Sequence, residues 1–577
     1  MNLFFLLALG PTLARPAPTI GTTAPDSGWD VSPPVSFPIA FVDVTVVPMT
    51  ADTVLPHYTV IVDRDRIIAV GPRDRLVVPR GAQIIDGHGR FLLPGLADMH
   101  VHLSDTLALE MLLANGVTTA RDLDGTPQLL DWRQSIAAGQ REGPELIVAA
   151  PIIYGTGKDT DSAAARARTD VASDAQIGYD LIKVYGGLSR TEMVAVGAEA
   201  RRHHLPVVGH LPVRVGLAAS IRAGLIEVAH AEELYTEFVP GYDRDHPPDN
   251  PVALKLVADS VPRAAEILHA GGARLVPTLV ELSTVDQMMR SPAVLLAQAS
   301  SAYLPVLDRA AIQAGTERHQ SLARRTPAFL TFISHLLDLS KAVTRDSYLA
   351  GVPIVMGTDA GITGVVPGFT VHDELGNLVA LGLPPYAALR TATVNATLDA
   401  PDGKSFGTIE VGKRADLLLV DGNPLVNVAA VRTVAGVMRR GRWYPRDAVR
   451  HMLAQVLDFT RAESSFVSTI RAIGVDRAVQ RWKTNPRVGS AGLPVREKTF
   501  VMLGNALLGD GRTVDAVAAF RLAASAAPRS PRPLRGLADA LVASGDTTHA
   551  VAAYRHALEL DPTSSDARQA LTRIGHP

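Results

Sequence analysis

The 577-residue sequence contains no cysteine, which removes disulfides, thiolate metal ligands and a cysteine nucleophile together. It is also poor in lysine. Only eight of its 56 basic residues are lysines, so a lysine inside an apolar strand calls for an explanation. Neither sign of charge is in excess, because the formal net charge is −2, and no basic surface of the kind that binds nucleic acid is indicated. No internal run reaches the ~18 apolar residues that a membrane-spanning helix needs. What is present is 47% hydrophobic and 20% charged residues in a chain too long for one core. Two or three domains and a small-molecule partner are expected.

The chain begins MNLFFLLALGPTLARPAPTIG, an apolar stretch from Leu3 to Leu9 followed by small residues. This resembles a short export signal over residues 1–17, cleaved after Ala14 or Ala17, and implies a periplasmic or secreted protein of bacterial type. No basic residue precedes the apolar stretch, so a cytoplasmic protein is the alternative.

After a Pro- and Ser-rich lead-in, short β-rich pieces follow at Ala40–Val47, Tyr58–Val62, Arg66–Val70 and Gln83–Asp86, separated by turns such as Asp86-Gly87. From Ala97 the pattern changes to apolar strands alternating with helical stretches. Eight strands are predicted: Ala97–His102, Thr118–Leu123, Glu145–Ala150, Asp180–Tyr185, Pro206–Leu211, Leu225–His230, Arg274–Leu279 and Pro353–Asp359. Eight is the number that closes a (β/α)8 barrel, here over residues 94–399. The crossover from Glu281 to Leu349 is longer than one helix requires and predicts extra helices over the barrel mouth. Residues 407–444 return to strands and turns. The fold class is therefore α/β, a barrel inserted in a composite β-sandwich formed by residues 38–93 and 400–447.

From about Pro445 the chain reads as helical. Phe500, Leu503, Gly504, Leu507, Gly511, Ala516, Phe520, Ala523 and Pro528 recur 34 residues later as Leu534, Leu537, Ala538, Leu541, Gly545, Ala550, Tyr554, Ala557 and Pro562. These resemble two tetratricopeptide repeats, 497–530 and 531–564, within a helical domain over 448–577. A peptide or protein partner bound by the repeats is one reading, and a packing buttress for the barrel is the other.

The stretch LPGLADMHVHLS holds His100 and His102 two residues apart, so a strand points both imidazoles the same way. Barrel active sites lie at the C-terminal ends of the strands. There the first strand offers His100 and His102, the fourth Lys183, the fifth His210, the sixth His230 and the eighth Asp359. Singly, His210 could be a core histidine, His230 could bond a loop carbonyl, and Asp359 could cap a helix. Jointly they point to metal. A protonated lysine would repel such a site, whereas a neutral amine can take up carbon dioxide as an anionic carbamate, which arginine cannot do.

PGLADMHVHL, DLIKVYGGLS, PVVGHLP, EVAHAEELY, VMGTDAG and GTIEVGKRADLLLVDGNPL together resemble the amidohydrolase superfamily, in its imidazolonepropionase-like, prolidase-type dipeptidase branch, over about residues 38–447. The resemblance implies that His100, His102 and Asp359 hold a buried metal and His210 and His230 an exposed one. It also implies carboxylated Lys183 between them, and two divalent ions, zinc by the donor types. Such a pair of ions, roughly 3.5 to 4 Å apart, supplies hydroxide to attack an amide carbonyl, with Asp359 carrying the proton to the leaving nitrogen. Tyr235, in HAEELY, is expected to donate to the oxyanion or to pack against the insertion. His372 and Asp373 are expected to cap the helix after strand eight or to support the ligands. The expected activity is that of a dipeptidase or N-acyl amino acid hydrolase. The alternatives are a cyclic amide or ester hydrolase and a non-catalytic scaffold. No candidate ligand lies beyond Asp359, so a chain ending near Tyr444 is expected to keep the chemistry if it folds.

Overall fold

The computed structural model describes residues 38–235, 251–484 and 492–576. The expected export signal lies outside them.

The two flanks of the barrel meet as the sequence predicts. The N-terminal flank supplies β1 (Ile39–Val46), β2 (Leu55–Asp63), β3 (Arg66–Pro72), β4 (Gln83–Asp86) and β5 (Phe91–Pro94). Antiparallel pairing of Leu93 with Leu418 joins β5 to Leu417–Val420 of the C-terminal flank. The sandwich is made by one eight-stranded sheet curling over its own core, because the turn at Asp65 comes round to the C-terminal flank. There Ala415 N donates to Asp65 O at 2.8 Å and Gly412 N to Ile67 O at 2.8 Å. Phe41 and Trp443, from opposite parts of the sheet, meet edge-on with ring centroids 5.1 Å apart.

Seven barrel strands form parallel ladders: β6 (Leu96–Val101), β7 (Val117–Asp122), β8 (Glu145–Val148), β9 (Ile182–Val184), β10 (Val207–Gly209), β11 (Leu225–Ala229) and β12 (Arg274–Val276). Their near-continuous burial follows from helices covering a parallel sheet. The eighth predicted strand, Pro353–Asp359, is extended but makes only isolated bridges, Leu275 to Ile354 and Val101 to Ala360. It still closes the barrel, through Val355 N to Leu275 O (2.9 Å) and Met99 N to Met356 O (2.9 Å). The ladder is broken because the backbone turns left-handed at its end, with φ of 59° at Asp359 and 109° at Gly361. In the C-terminal flank, β13 (Leu417–Val420), β14 (Val434–Arg439) and β15 (Arg442–Pro445) complete the curled sheet.

The long crossover contains the helices Leu279–Arg290, Pro292–Ala297, Val306–Ala314, Arg318–Arg325 and Ala328–Leu349, as its apolar spacing predicts. Ser189 caps the helix Arg190–Arg202 in a capping box: Glu192 N donates to Ser189 Oγ (3.3 Å) and Ser189 N to the Glu192 carboxylate (2.8 Å).

The repeat helices are Glu497–Gly509, Thr513–Ala526, Pro531–Ala543 and Thr547–Leu560, followed by the closing helix Ser565–Arg573. Small residues matter here because Phe520 is fully buried between two glycines. A Cβ at Gly504 or Gly536 would come within 2.7 or 2.2 Å of its ring. The 28-residue helix Arg446–Ile473 ties the two parts together. Its first half puts Val449, Met452 and Val456 into the barrel's core, and its second half puts Phe466, Val467 and Ile470 into the core of the repeats. The repeats therefore lie against the barrel, and Arg529 pairs with Asp131 at 2.6 Å while Arg532 pairs with Asp124. No described helix is long and apolar enough to cross a membrane.

Candidate active site

The six residues named at the strand ends come together. His100 sits in β6 with no solvent exposure, and His102 follows the strand directly. Their Nε2 atoms lie 3.2 and 2.9 Å from Asp359 Oδ1. Lys183, on β9 and wholly buried, has Nζ 3.5 Å from His100 Nε2. His210 and His230, each just past its strand, have ring centroids 4.7 Å apart, and the His230 ring is 4.6 Å from that of His100. One ligand atom from each of His100, His230 and Asp359 lies within 4.8 Å of the other two.

Two backbone features put them there. Gly209 precedes His210 with φ of 135°, and a Cβ on it would come within 2.3 Å of Val184 O and 3.0 Å of the Lys183 side chain, so only glycine lets these strands close up beneath the lysine. His230, Thr278 and Asp359 adopt φ of 67°, 48° and 59°, left-handed conformations that non-glycine residues hold only where the surroundings impose them.

The electrostatics suit a cation. Burial, followed by the charge of Lys183 and the other histidines, holds His100 well below the ordinary imidazole range, so it presents a lone pair. Burial alone would raise the Asp359 carboxyl, but His102, His230 and Lys183 hold it below its usual range. Burial also pulls the Lys183 ammonium down to about 8, against the pull of Asp359. Asp359 Oδ1 is buried and accepts no well-directed hydrogen bond, and His100 Nδ1 is likewise without a partner. Nitrogens and a carboxylate oxygen aimed at a common point, and not along one another's hydrogen-bond axes, are what a divalent ion requires. The residues present therefore fit such an ion.

Partners that the sequence did not announce hold the candidate ligands. His210 Nδ1 is 2.9 Å from Glu233 Oε1, and His230 Nδ1 is 2.8 Å from Thr278 Oγ1. With Nδ1 so engaged, Nε2 is the nitrogen a metal would take. Asp98 Oδ2 accepts from Thr358 Oγ1 at 2.6 Å, and its Oδ1 accepts from Thr358 N and His100 N, which fastens the eighth strand to the first. Burial pushes this carboxyl up to about 7. Glu374 accepts from Leu279 N and Val280 N at 3.0 and 2.7 Å and so anchors the segment after Thr278. Across the barrel interior Arg121 pairs with Glu227, both fully buried, and Arg121 Nε donates to Met99 O at 2.7 Å. Glu233 lies inside HAEELY and Asp98 inside LADMH, so both belong to motifs that carry the candidate ligands themselves.

The remaining candidates are elsewhere. Tyr235 is fully buried with its ring edge-on to Phe332 of the insertion, centroids 5.7 Å apart, which is the packing alternative. His372 neither caps its helix nor touches a ligand; its Nε2 is 2.9 Å from Asn115 O, and burial lowers it to about 4. Asp373 pairs with Arg432 at the surface, 2.6 Å away.

The chain resembles known proteins in both its barrel part and its repeats. Residues 507–574 match the tetratricopeptide repeat model. The chain is 26% identical over 398 residues to the imidazolonepropionase of Symbiobacterium thermophilum, an overlap of 65% of this chain and 87% of that one. Among solved structures, a Bifidobacterium longum protein described as a prolidase is 25% identical with a TM-score of 0.53, covering 73% of this chain and 100% of that one. Bottromycin amidohydrolase is 25% identical with a TM-score of 0.57, covering 73% and 90%. The amidohydrolase family model matches residues 91–444, a span that runs from β5 through the whole barrel to β15 and exceeds half of the sequence. On that match the chain belongs to the amidohydrolase family, whose members hydrolyse carbon–nitrogen bonds.

Proposed function

We propose that this protein hydrolyses the amide bond of a dipeptide or an N-acyl amino acid, with two zinc ions held by His100, His102 and Asp359 on one side and His210 and His230 on the other. Lys183, once carboxylated on Nζ, would add an anionic oxygen donor to the set. The single observation that carries this reading is the convergence of Lys183 with four histidines and Asp359 at the strand ends. The likeness to a protein described as a prolidase supports the dipeptide.

Divalent ions bound there would polarise the amide carbonyl and generate hydroxide from water near neutral pH. Asp359 takes the proton from that water and passes it to the leaving nitrogen. Glu233 fixes the tautomer of His210, and Thr278 orients the ring of His230. An oxyanion contact from Tyr235 stays part of this proposal, beside the packing of its ring against Phe332. Export by residues 1–17 is part of the same proposal.

A hydrolysis screen over dipeptides and N-acyl amino acids, with zinc, manganese or cobalt restored, tests it. Turnover confined to cyclic amides would favour the second reading, which the likeness to an imidazolonepropionase supports. No bound metal and no gain of activity on adding any of the three ions would defeat both.

A further inference from the structure

The turn that carries Asp359 is gripped from outside the family-matched span. Lys498, second residue of the helix Glu497–Gly509, places Nζ 2.6 Å from Asp308 Oδ2 and 2.9 Å from the carbonyl oxygen of Gly361. Asp308 is 1% exposed and lies in Val306–Ala314, a helix of the insertion. Its neighbour Leu307 is part of the repeats' hydrophobic core, so insertion and repeats form one body at this point.

On its other side the turn is pressed against the first strand. His102 N donates to Ala360 O at 2.7 Å, and a Cβ on Gly361 would come within 1.9 Å of His102 O. Asp359, Ala360 and Gly361 are thus wedged between a candidate ligand's backbone and the lysine. A left-handed aspartate does not hold its shape unaided. An interdomain tie would account for the pair with Asp308 alone. It does not account for the second bond, which ends two residues from Asp359.

We infer that Lys498 is a positioning residue for Asp359, so that the repeat domain sets the geometry of the carboxylate at the centre of the site. This rests on the metal reading above. It gives the repeats a task in the enzyme itself, beyond the capture of a partner or the support of the barrel.

The test uses the full chain. Lys498→Met combined with Asp308→Leu removes both charges together and strands no buried carboxylate. Lys498→Arg alone keeps the cation but changes its shape. Zinc affinity is measured by competition with a chromophoric chelator, alongside kcat, KM and melting temperature. The double variant is expected to melt near the parent, to bind zinc about 10- to 100-fold more weakly, and to lose about 100-fold in kcat with little change in KM. Lys498→Arg is expected to be intermediate in both affinity and kcat, and it decides the matter if the double variant does not fold. Parental zinc affinity in the variants overturns the inference, whether or not stability falls, because Lys498 is then a tie between domains only. A parent chain that binds no divalent ion defeats the metal reading, and that result is read before any substitution is made.

Discussion

His210 Nδ1 faces Glu233 Oε1 across 2.9 Å at the barrel mouth. The carboxylate fixes which nitrogen bears the proton and makes the other a better donor to a metal. Glu233→Gln keeps the size and loses the charge, so zinc affinity should fall about 10- to 100-fold. Titration against a competing chelator reads this directly, and an unchanged affinity would remove His210 from the ligand set.

If Lys183 carries the proposed carbamate, Lys183→Ala should lose metal and activity together, because that anion goes with the side chain. Millimolar acetate or propionate should restore part of both by filling the gap. Full activity in Lys183→Arg would rule out a carbamate, since a guanidinium does not form one under these conditions.

Asp359→Asn separates two tasks. The amide keeps one oxygen for a metal but cannot take a proton from water, so most of kcat should disappear, by about 10²- to 10⁴-fold, while part of the metal remains. The loss should be smallest for nitrophenyl esters, whose leaving group needs no proton. Equal losses for amides and activated esters, matched by loss of metal, would make Asp359 a ligand alone.

Far from the site, Asp174 is 2% exposed with Oδ2 unpartnered. Burial, followed by the nearby Asp170 and Asp561, raises it to about 8. A raised acid holds its proton in the folded chain after the unfolded chain has released it, so its contribution falls as pH climbs from about 4 to 8. Asp174→Asn should flatten that decline. Each pH unit across that window costs the parent at most about 1.4 kcal/mol, so a gain of about 2 kcal/mol or more at pH 8 and almost none at pH 4 is expected from denaturant unfolding. A variant with the parent's pH profile would show that Asp174 ionises normally.

Whether a chain ending at Tyr444 keeps the chemistry turns on whether it folds. Such a chain would lose Val449, Met452 and Val456 from the barrel's own core, as well as Lys498 at the Asp359 turn. It should be aggregation-prone and, if soluble, impaired in zinc binding. A soluble truncated chain with parental zinc affinity would show that the barrel needs neither.

The convergence of these candidate residues was legible because chain order and strand period fix which residues reach the top of a barrel. His100, His102, Lys183, His210, His230 and Asp359 each lie at or within two residues of a strand end or the closing segment. Partners such as Thr278 and Asp98 were not, since their contacts depend on left-handed backbone and on strands crossing at angles that a linear pattern does not encode. The eighth strand was foreseen in place but not in its broken pairing, for the same reason. The 34-residue period gave the repeats but not where they dock, because the docking polar residues, Lys498, Arg529 and Arg532, look like ordinary surface charges in sequence.

The pairing of Leu93 with Leu418 bears on how the chain comes to be folded at all. During synthesis β1 to β5 emerge early with an open edge, and the strand that covers it arrives only after the entire barrel has been made. An unpaired edge of this kind recruits other chains as readily as its own partner. Contacts so distant in sequence also form slowly. The vulnerable period in the life of this protein is therefore its biogenesis, and its yield should depend on how long that edge is kept from its neighbours.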